Sequence, residues 1–378
     1  MKNQFDLNNS PWTAIWETTQ ACDIACREYD WVQPEVDPLE LSTQEAEELL
    51  REVAELQPHI FMLTGADPLK REDIYHLVRY ACLLGMRPIM SLRATPLLTR
   101  EAIARLKEAG LSRIVFPLDG STAYLHDLIC GIHGSFDRIL DATQWADDCR
   151  LPFQVTTHLS ERNLHDLENM AAMLRPFRIL QWNVTFPVPG QMSQIEELPS
   201  AREFEDVFER LYKLAQEVPF KIRTTEAPHY RRYILQKQAE ARANGPMEPA
   251  HFEEGIPGIL PVNEDRGTVF ISHTGEVYPC ESLPIVAGNV RVQNLKDIYR
   301  GAQILKDLRD TNQLTGKCGI CAFNGVCGGS RARSFAMNAD SFDEDPACIY
   351  RPLQAQSVRK RSRGFLPPEE AVVERENG

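Results

Sequence analysis

The sequence predicts an α/β fold: a barrel of six strand–helix units, open or closed, followed by a small cysteine-rich α+β segment. Three observations predict it. From residue 12 to about residue 218, short apolar runs alternate with amphipathic stretches. A charged stretch broken by Gly and Pro then separates off the rest of the chain. Beyond it lie Cys280, Cys318, Cys321, Cys327 and Cys348, five of the ten cysteines. A flat doubly wound sheet is the alternative that periodicity leaves standing.

The elements follow in order. The apolar run 12–16 precedes a helix over 43–55, with Leu49, Leu50 and Val53 on one face. Ser42, with Glu45 three residues later, makes a capping box at its start. HIFMLT (59–64) precedes a helix over 74–84, RPIMSL (87–92) one over 100–109, and RIVFPL (113–118) one over 136–149. FQVTTHL (153–159) precedes 164–174, and QWNVTF (181–186) precedes 204–218. Gly85 and Gly110 fall where helices end, because glycine takes a left-handed backbone without penalty. This assigns residues 1–235 to the first domain and 236–265 to a linker or mobile cap. TVFISHTGEVYPC (268–280) reads as a β-hairpin with Gly275 in its turn, and 295–308 as a short helix. The domain 266–352 has too little periodicity to bury much core and needs a staple such as a metal site. Residues 353–378 read as a tail.

Composition narrows the function. The net charge of −13 disfavours nucleic acid, whose phosphates need a basic face. The basic run 359–363 lies in the tail and reads as solvated. No apolar run approaches membrane-spanning length, and the opening MKNQFDLNNSPW has no apolar stretch. The expected address is the cytoplasm, where thiols stay reduced and clustered cysteines point to metal.

Two cysteine groups stand out. Cys22 and Cys26 are separated by three residues, and Tyr29 stands three positions further on. Cys318-x2-Cys321-x5-Cys327-x20-Cys348 supplies four thiols, with glycines at 319, 325, 328 and 329 to turn the chain and expose N–H groups. The spacing favours metal. It leaves an iron–sulfur cluster and a four-cysteine zinc site open, with four buried thiols as the plain alternative. Cys82, Cys130 and Cys149 are scattered and read as small buried hydrophobes.

Taken together, these regions resemble the radical S-adenosylmethionine (SAM) proteins that carry a SPASM or twitch extension. The group includes pyrroloquinoline quinone biosynthesis protein E and the haem-synthesis decarboxylases. WETTQACDIAC (16–26) is similar to the opening of that core. LTGADPLKREDI (63–74) is similar to its second-strand motif, and PLDG (117–120) to its fourth-strand Ser-Leu-Asp-Gly. GEVYPC (275–280) and CGICAFNGVCGGSRA (318–332) resemble the SPASM hairpin and cluster loop. The resemblance implies a partial (β/α)6 TIM-like barrel that holds a 4Fe–4S cluster and SAM and generates a 5′-deoxyadenosyl radical. It implies Cys22 and Cys26 as core-cluster ligands, and Gly65, Ala66, Asp67 and Asp119 as SAM-site residues. Thr156, with Thr157 and His158, ends the fifth strand, where barrel sites gather, and reads either as lining the SAM pocket or as a half-buried strand residue. The resemblance further implies one auxiliary 4Fe–4S cluster on Cys318, Cys321, Cys327 and Cys348. The second auxiliary cluster of the full pattern is not expected, since Gln293 and Arg331 stand at two of its cysteine positions and only Cys280 survives.

The chain departs from the family at Tyr29, which takes the third core-cysteine position. A phenol is a hard donor and a poor substitute for thiolate. Ala66, Asp67 and Pro117 depart from the usual Gly, Glu and Ser. Three readings therefore stand: a radical enzyme with an unusual core cluster, a relative keeping only the auxiliary cluster for binding or electron transfer, and a zinc-stapled binding module. Relatives act on peptides or on tetrapyrrole propionates, and an electron donor protein is implied. Glu226, His229, Arg231 and Arg232 are substrate candidates for a carboxylate, with a solvated helix start as the competing interpretation.

Overall fold

The structure is a computed structural model that describes residues 6–24, 33–190, 198–244 and 264–352. Seven strands lie side by side in chain order, all parallel: β1 (Thr13–Glu17), β2 (Ile60–Thr64), β3 (Pro88–Ser91), β4 (Arg113–Pro117), β5 (Phe153–His158), β6 (Gln181–Thr185) and β7 (Lys221–Thr225). Helices joining successive strands cover one face of the sheet. This is the β/α alternation expected when a parallel sheet must bury its faces. Three further strands extend the sheet beyond β1. β8 (Thr268–Ile271) pairs with β1 in parallel. β9 (Glu276–Tyr278) returns antiparallel, and β10 (Gly288–Asn289) pairs antiparallel with β9. The ten-stranded sheet ends at β10 and β7, which makes it an open, partial barrel.

Local sequence explains the helices well. Ser42 and Glu45 form the predicted capping box on Thr43–Leu56, and its buried Leu49, Leu50, Val53 and Leu56 join Trp16 and Leu63 in the core. Burying each leucine contributes about 2 kcal/mol. Thr99 caps Arg100–Ala109, which ends at Gly110 in left-handed backbone. The main core runs without a break from Ala14 to residues 295–305, so barrel and C-terminal segment share it. A smaller cluster gathers Val188, Cys280, Leu283, Leu308 and Ala332.

Several expectations need correction. The six expected strands are all present, and one more follows them among the described residues, because KIRTT forms β7 and the next helix starts at His229. That helix, His229–Asn244, runs across the boundary drawn at 235; residues 245–263 of the expected linker lie outside the described residues. The helix expected over 295–308 is two, Leu295–Gly301 and Gln303–Arg309, broken by extended backbone at Ala302. Ala123–Cys130 and Arg331–Asn338 are helices that periodicity did not reveal. The expected tail, 353–378, lies outside the described residues. Among the described residues no helix is long and apolar enough to cross a membrane.

Candidate functional site

The first candidate region lies where β1 and β2 end. Their C-terminal extensions zip together: Thr18 N donates to Thr64 O at 2.7 Å, Ala66 N to Thr19 O at 3.0 Å, and Asp67 N to Ala21 O at 3.1 Å. Gly65 allows this approach. Its φ is +150°, and a Cβ there would stand 2.5 Å from Thr19 O. The chain that leaves at Cys22 returns beside itself, with Cys22 N donating to Gln33 O at 2.8 Å and Gln33 N to Gln20 O at 3.1 Å. Cys22 is buried, and burial raises its thiol pKa. Cys26 and Tyr29 lie outside the described residues.

Ala66 and Asp67 are both buried. Burial raises the Asp67 carboxyl, which is already engaged: it accepts from Thr95 Oγ1 at 2.7 Å and from Leu69 N at 3.0 Å. Asp67 therefore caps the turn at Pro68–Lys70. Asp119 clasps β4 to β5: Oδ1 accepts from His158 N at 2.6 Å, and Asn163 Nδ2 donates to the carbonyls of both Asp119 and His158. Thr156 pairs with Pro117, and its carbonyl accepts from Leu118 N at 2.8 Å. Its neighbour Thr157 is buried and accepts from Trp182 Nε1 at 2.8 Å.

Sequence reading missed Arg93 and Glu281 here. Arg93 follows β3, and its charge acts on both Cys22 and Asp67. Glu281 keeps solvent access, yet its carboxyl is raised, first by enclosure within protein and then by Glu17. His158 and Arg93 also act on it.

The second region is the C-terminal thiol group. Cys318, Cys321, Cys327 and Cys348 line one recess with Arg232 and Tyr350. Phe323 N donates to Cys321 Sγ and Gly329 N to Cys327 Sγ, each at 3.4 Å. Burial raises the thiols of Cys318, Cys327 and Cys348, so thiolates in this recess require a compensating cation. Convergent soft donors with N–H groups already on two sulfurs fit a thiolate-bound metal centre. Cys280 lies elsewhere, in the smaller apolar cluster.

Arg331, at a position where the full pattern has a cysteine, is a buried organiser of this loop. It donates to the carbonyls of Gly329, Ser341 and Asp343 and lies 3.9 Å from Cys318 Sγ. Nearby, Asp345 is fully buried and accepts from Ser330 N, Ala347 N and Arg333. Burial alone would raise its carboxyl; Arg333 and then His229 outweigh it and hold the pKa at about 2.

The four substrate candidates fall in different surroundings. Glu226 is buried at the end of β7, in left-handed backbone (φ 57°), and accepts from Ser330 Oγ at 2.6 Å. His229 is buried against Phe204 and Phe208, and its Nδ1 is 3.8 Å from Asp345. Neither of its ring nitrogens has a hydrogen-bond partner among the described residues. Arg232 lines the thiol recess, pairs with Glu205, and stacks over Tyr350. Arg231 is half-buried beside Arg266. Glu226, His229 and Arg232 thus join the barrel to the thiol segment.

A parallel strand–helix barrel with a cysteine-rich extension built onto its first strand defines the class: a barrel protein with a metal-binding C-terminal segment. Residues 16–174 match the radical SAM superfamily, and residues 264–322 match the SPASM iron–sulfur cluster-binding domain. The AdoMet-dependent heme synthase of Methanosarcina barkeri is 33% identical over 92% of this chain and 98% of its own. That of Oleidesulfovibrio alaskensis is 33% identical over 92% and 89%. The PqqA peptide cyclase of Rhodopseudomonas palustris is 27% identical over 91% and 88%. Streptococcus suis SuiB bound to S-adenosylmethionine has the same fold, with a TM-score of 0.68 at 15% identity over 90% of this chain and 78% of that one. The chain belongs to the radical SAM superfamily and carries a SPASM domain.

Proposed function

We propose that this chain is a radical SAM enzyme acting on a carboxylate-bearing, tetrapyrrole-like substrate, with one 4Fe–4S cluster in the C-terminal thiol recess. The observation that carries the reading is the near full-length match to the heme synthases, at higher identity than the match to the peptide cyclase. Cys318, Cys321, Cys327 and Cys348 would hold the auxiliary cluster, and Cys22 and Cys26 would hold core iron. When bound, reduced cluster and SAM together supply a 5′-deoxyadenosyl radical that abstracts a substrate hydrogen.

The chain's own residues prepare the two places. Gly65 seats the β2 end against Thr19, which fixes the start of the Cys22 loop. Phe323 and Gly329 fix two sulfurs by N–H donation, while Arg331 and Arg232 set positive charge beside Cys318 and Cys348. Arg93 and His158 offer cationic or donor groups near the strand ends to a substrate carboxylate.

Tyr29 favours a second reading, a catalytically silent relative that keeps only the auxiliary cluster. One experiment separates them. The full chain is reconstituted anaerobically with iron and sulfide, its iron and zinc are counted, and 5′-deoxyadenosine is quantified with SAM and a strong reductant. Tyr29→Cys is run beside it. The proposal expects iron without zinc and product from the native chain. Product from Tyr29→Cys alone supports the silent relative. Zinc without iron overturns both and leaves the zinc-stapled module. Product from neither chain overturns the enzyme reading. The substrate class is then tested by adding a propionate-bearing porphyrin or a peptide and following its mass.

A further inference from the structure

A buried histidine from the C-terminal hairpin reaches across to the Cys22 loop. His273 sits in the turn between β8 and β9, with 6% of its surface exposed. Its Nδ1 is 2.8 Å from Glu17 Oε2, and its Nε2 is 3.2 Å from Asp37 Oδ2. Glu17 is the last residue of β1, also buried, and accepts in addition from Gln20 Nε2 and from His273 N. Asp37 lies just past Gln33, on the segment leaving the loop. The His273 carbonyl accepts from Leu41 N at 2.8 Å, tying that segment down a second time. One ring therefore engages the stretch leading into the loop through Glu17 and the stretch leading out through Asp37.

We propose that His273 is a positioning residue that fixes both ends of the Cys22 loop and so couples the C-terminal hairpin to the SAM side of the barrel. An imidazole bridging two carboxylates is best served when both nitrogens donate, which requires the imidazolium form. The groups facing it are Glu17 from β1 and Asp37 and Glu40 from the segment after the loop, Glu40 itself being paired with Arg71. Burial alone would lower the imidazole pKa; the bonds to Glu17 and Asp37 outweigh it and raise it. A raised value in the folded chain means that the clasp is complete at low pH and is lost as pH rises through that value. The importance of the loop rests on the proposed function, but the clasp itself does not need cofactor.

Hydrogen exchange of the full chain, prepared without added iron, tests this directly. His273→Gln keeps a polar side chain but cannot be cationic. Amides of 18–24 and 33–41 should exchange about ten-fold faster in this variant, the factor expected for losing one charge-assisted bond. β8 and the Leu295–Gly301 helix should be unchanged. In the native chain the protection of these amides, corrected for intrinsic rates, should fall as pH rises; in His273→Gln it should be flat. Asp37→Asn, at a partly exposed position, should loosen 33–41 while leaving 18–24 protected. Equal exchange in native and variant chains, a pH dependence surviving in His273→Gln, or loosening spread evenly over the whole sheet would each overturn the proposal. Because these readouts need neither iron nor SAM, their failure is distinct from failure to make 5′-deoxyadenosine.

Discussion

The Arg333 guanidinium donates to the backbone carbonyl of Glu226 at 2.6 Å, and so holds the end of β7 against the segment that presents the thiols. The same side chain also donates to Pro187 O, pairs with Asp345, and lies over the ring of Phe204. A buried arginine shared among carbonyls and one buried carboxylate satisfies groups that neither part could satisfy alone.

Arg333→Met should therefore be severe. It leaves Asp345 buried with its closest cation gone, a situation that costs about 3–5 kcal/mol. The check is the urea midpoint of the full chain, with Arg333→Lys expected to recover part of the loss. An unfolding free energy, taken from that urea curve, lowered by less than about 0.5 kcal/mol would show that Arg331 suffices as the cation for Asp345.

His229 should give the protein an acid-sensitive window. Burial lowers its pKa to about 4, while the unfolded side chain titrates near its ordinary 6.5. Between those values the unfolded state binds a proton that the folded state refuses, so stability falls as pH drops from about 6.5 towards 4. His229→Leu should reduce the slope of unfolding free energy across that window, the buried His126 supplying part of the remainder, while leaving the more acidic loss from Asp345 in place. A slope unchanged by the substitution would refute this account of His229.

Gly65→Ala should disturb the Cys22 loop beyond its conformational cost. A Cβ at Gly65 meets Thr19 O at 2.5 Å, whereas one at Gly85, also at positive φ, meets nothing within 4 Å. Gly85→Ala should cost about 1 kcal/mol from backbone alone. Gly65→Ala should cost about 1–3 kcal/mol more and weaken SAM binding, because the backbone it would displace leads to Cys22. Thermal unfolding and SAM titration of both variants check this; equal costs at the two sites would exclude the clash.

The alternation of strand and helix made six barrel strands legible, since each was a compact apolar run. β7 was not, because KIRTT is polar and nowhere fully buried in the fold. The recess of Cys318, Cys321, Cys327 and Cys348 was legible from spacing, which tight turns convert directly into proximity. The charges around it were not. Arg331, Arg333 and Asp345 look like ordinary surface residues in the sequence, and their burial depends on partners from distant segments. His229 looked like a substrate ligand for the same reason; Phe204 and Phe208, which enclose it, come from the helix before β7.

The pairing of Thr13 with Thr268 sets an order of events at the ribosome. β1 and β2 both precede β8 in the chain, so the β2 side of β1 can pair early. Its other edge stays open until residues 268–271 have been made, and an open edge is a template for wrong partners. A nascent chain stalled before β8 would thus display an unpaired strand edge beside Cys22. Completing the hairpin would shield that edge and bring His273 to Glu17 in one step.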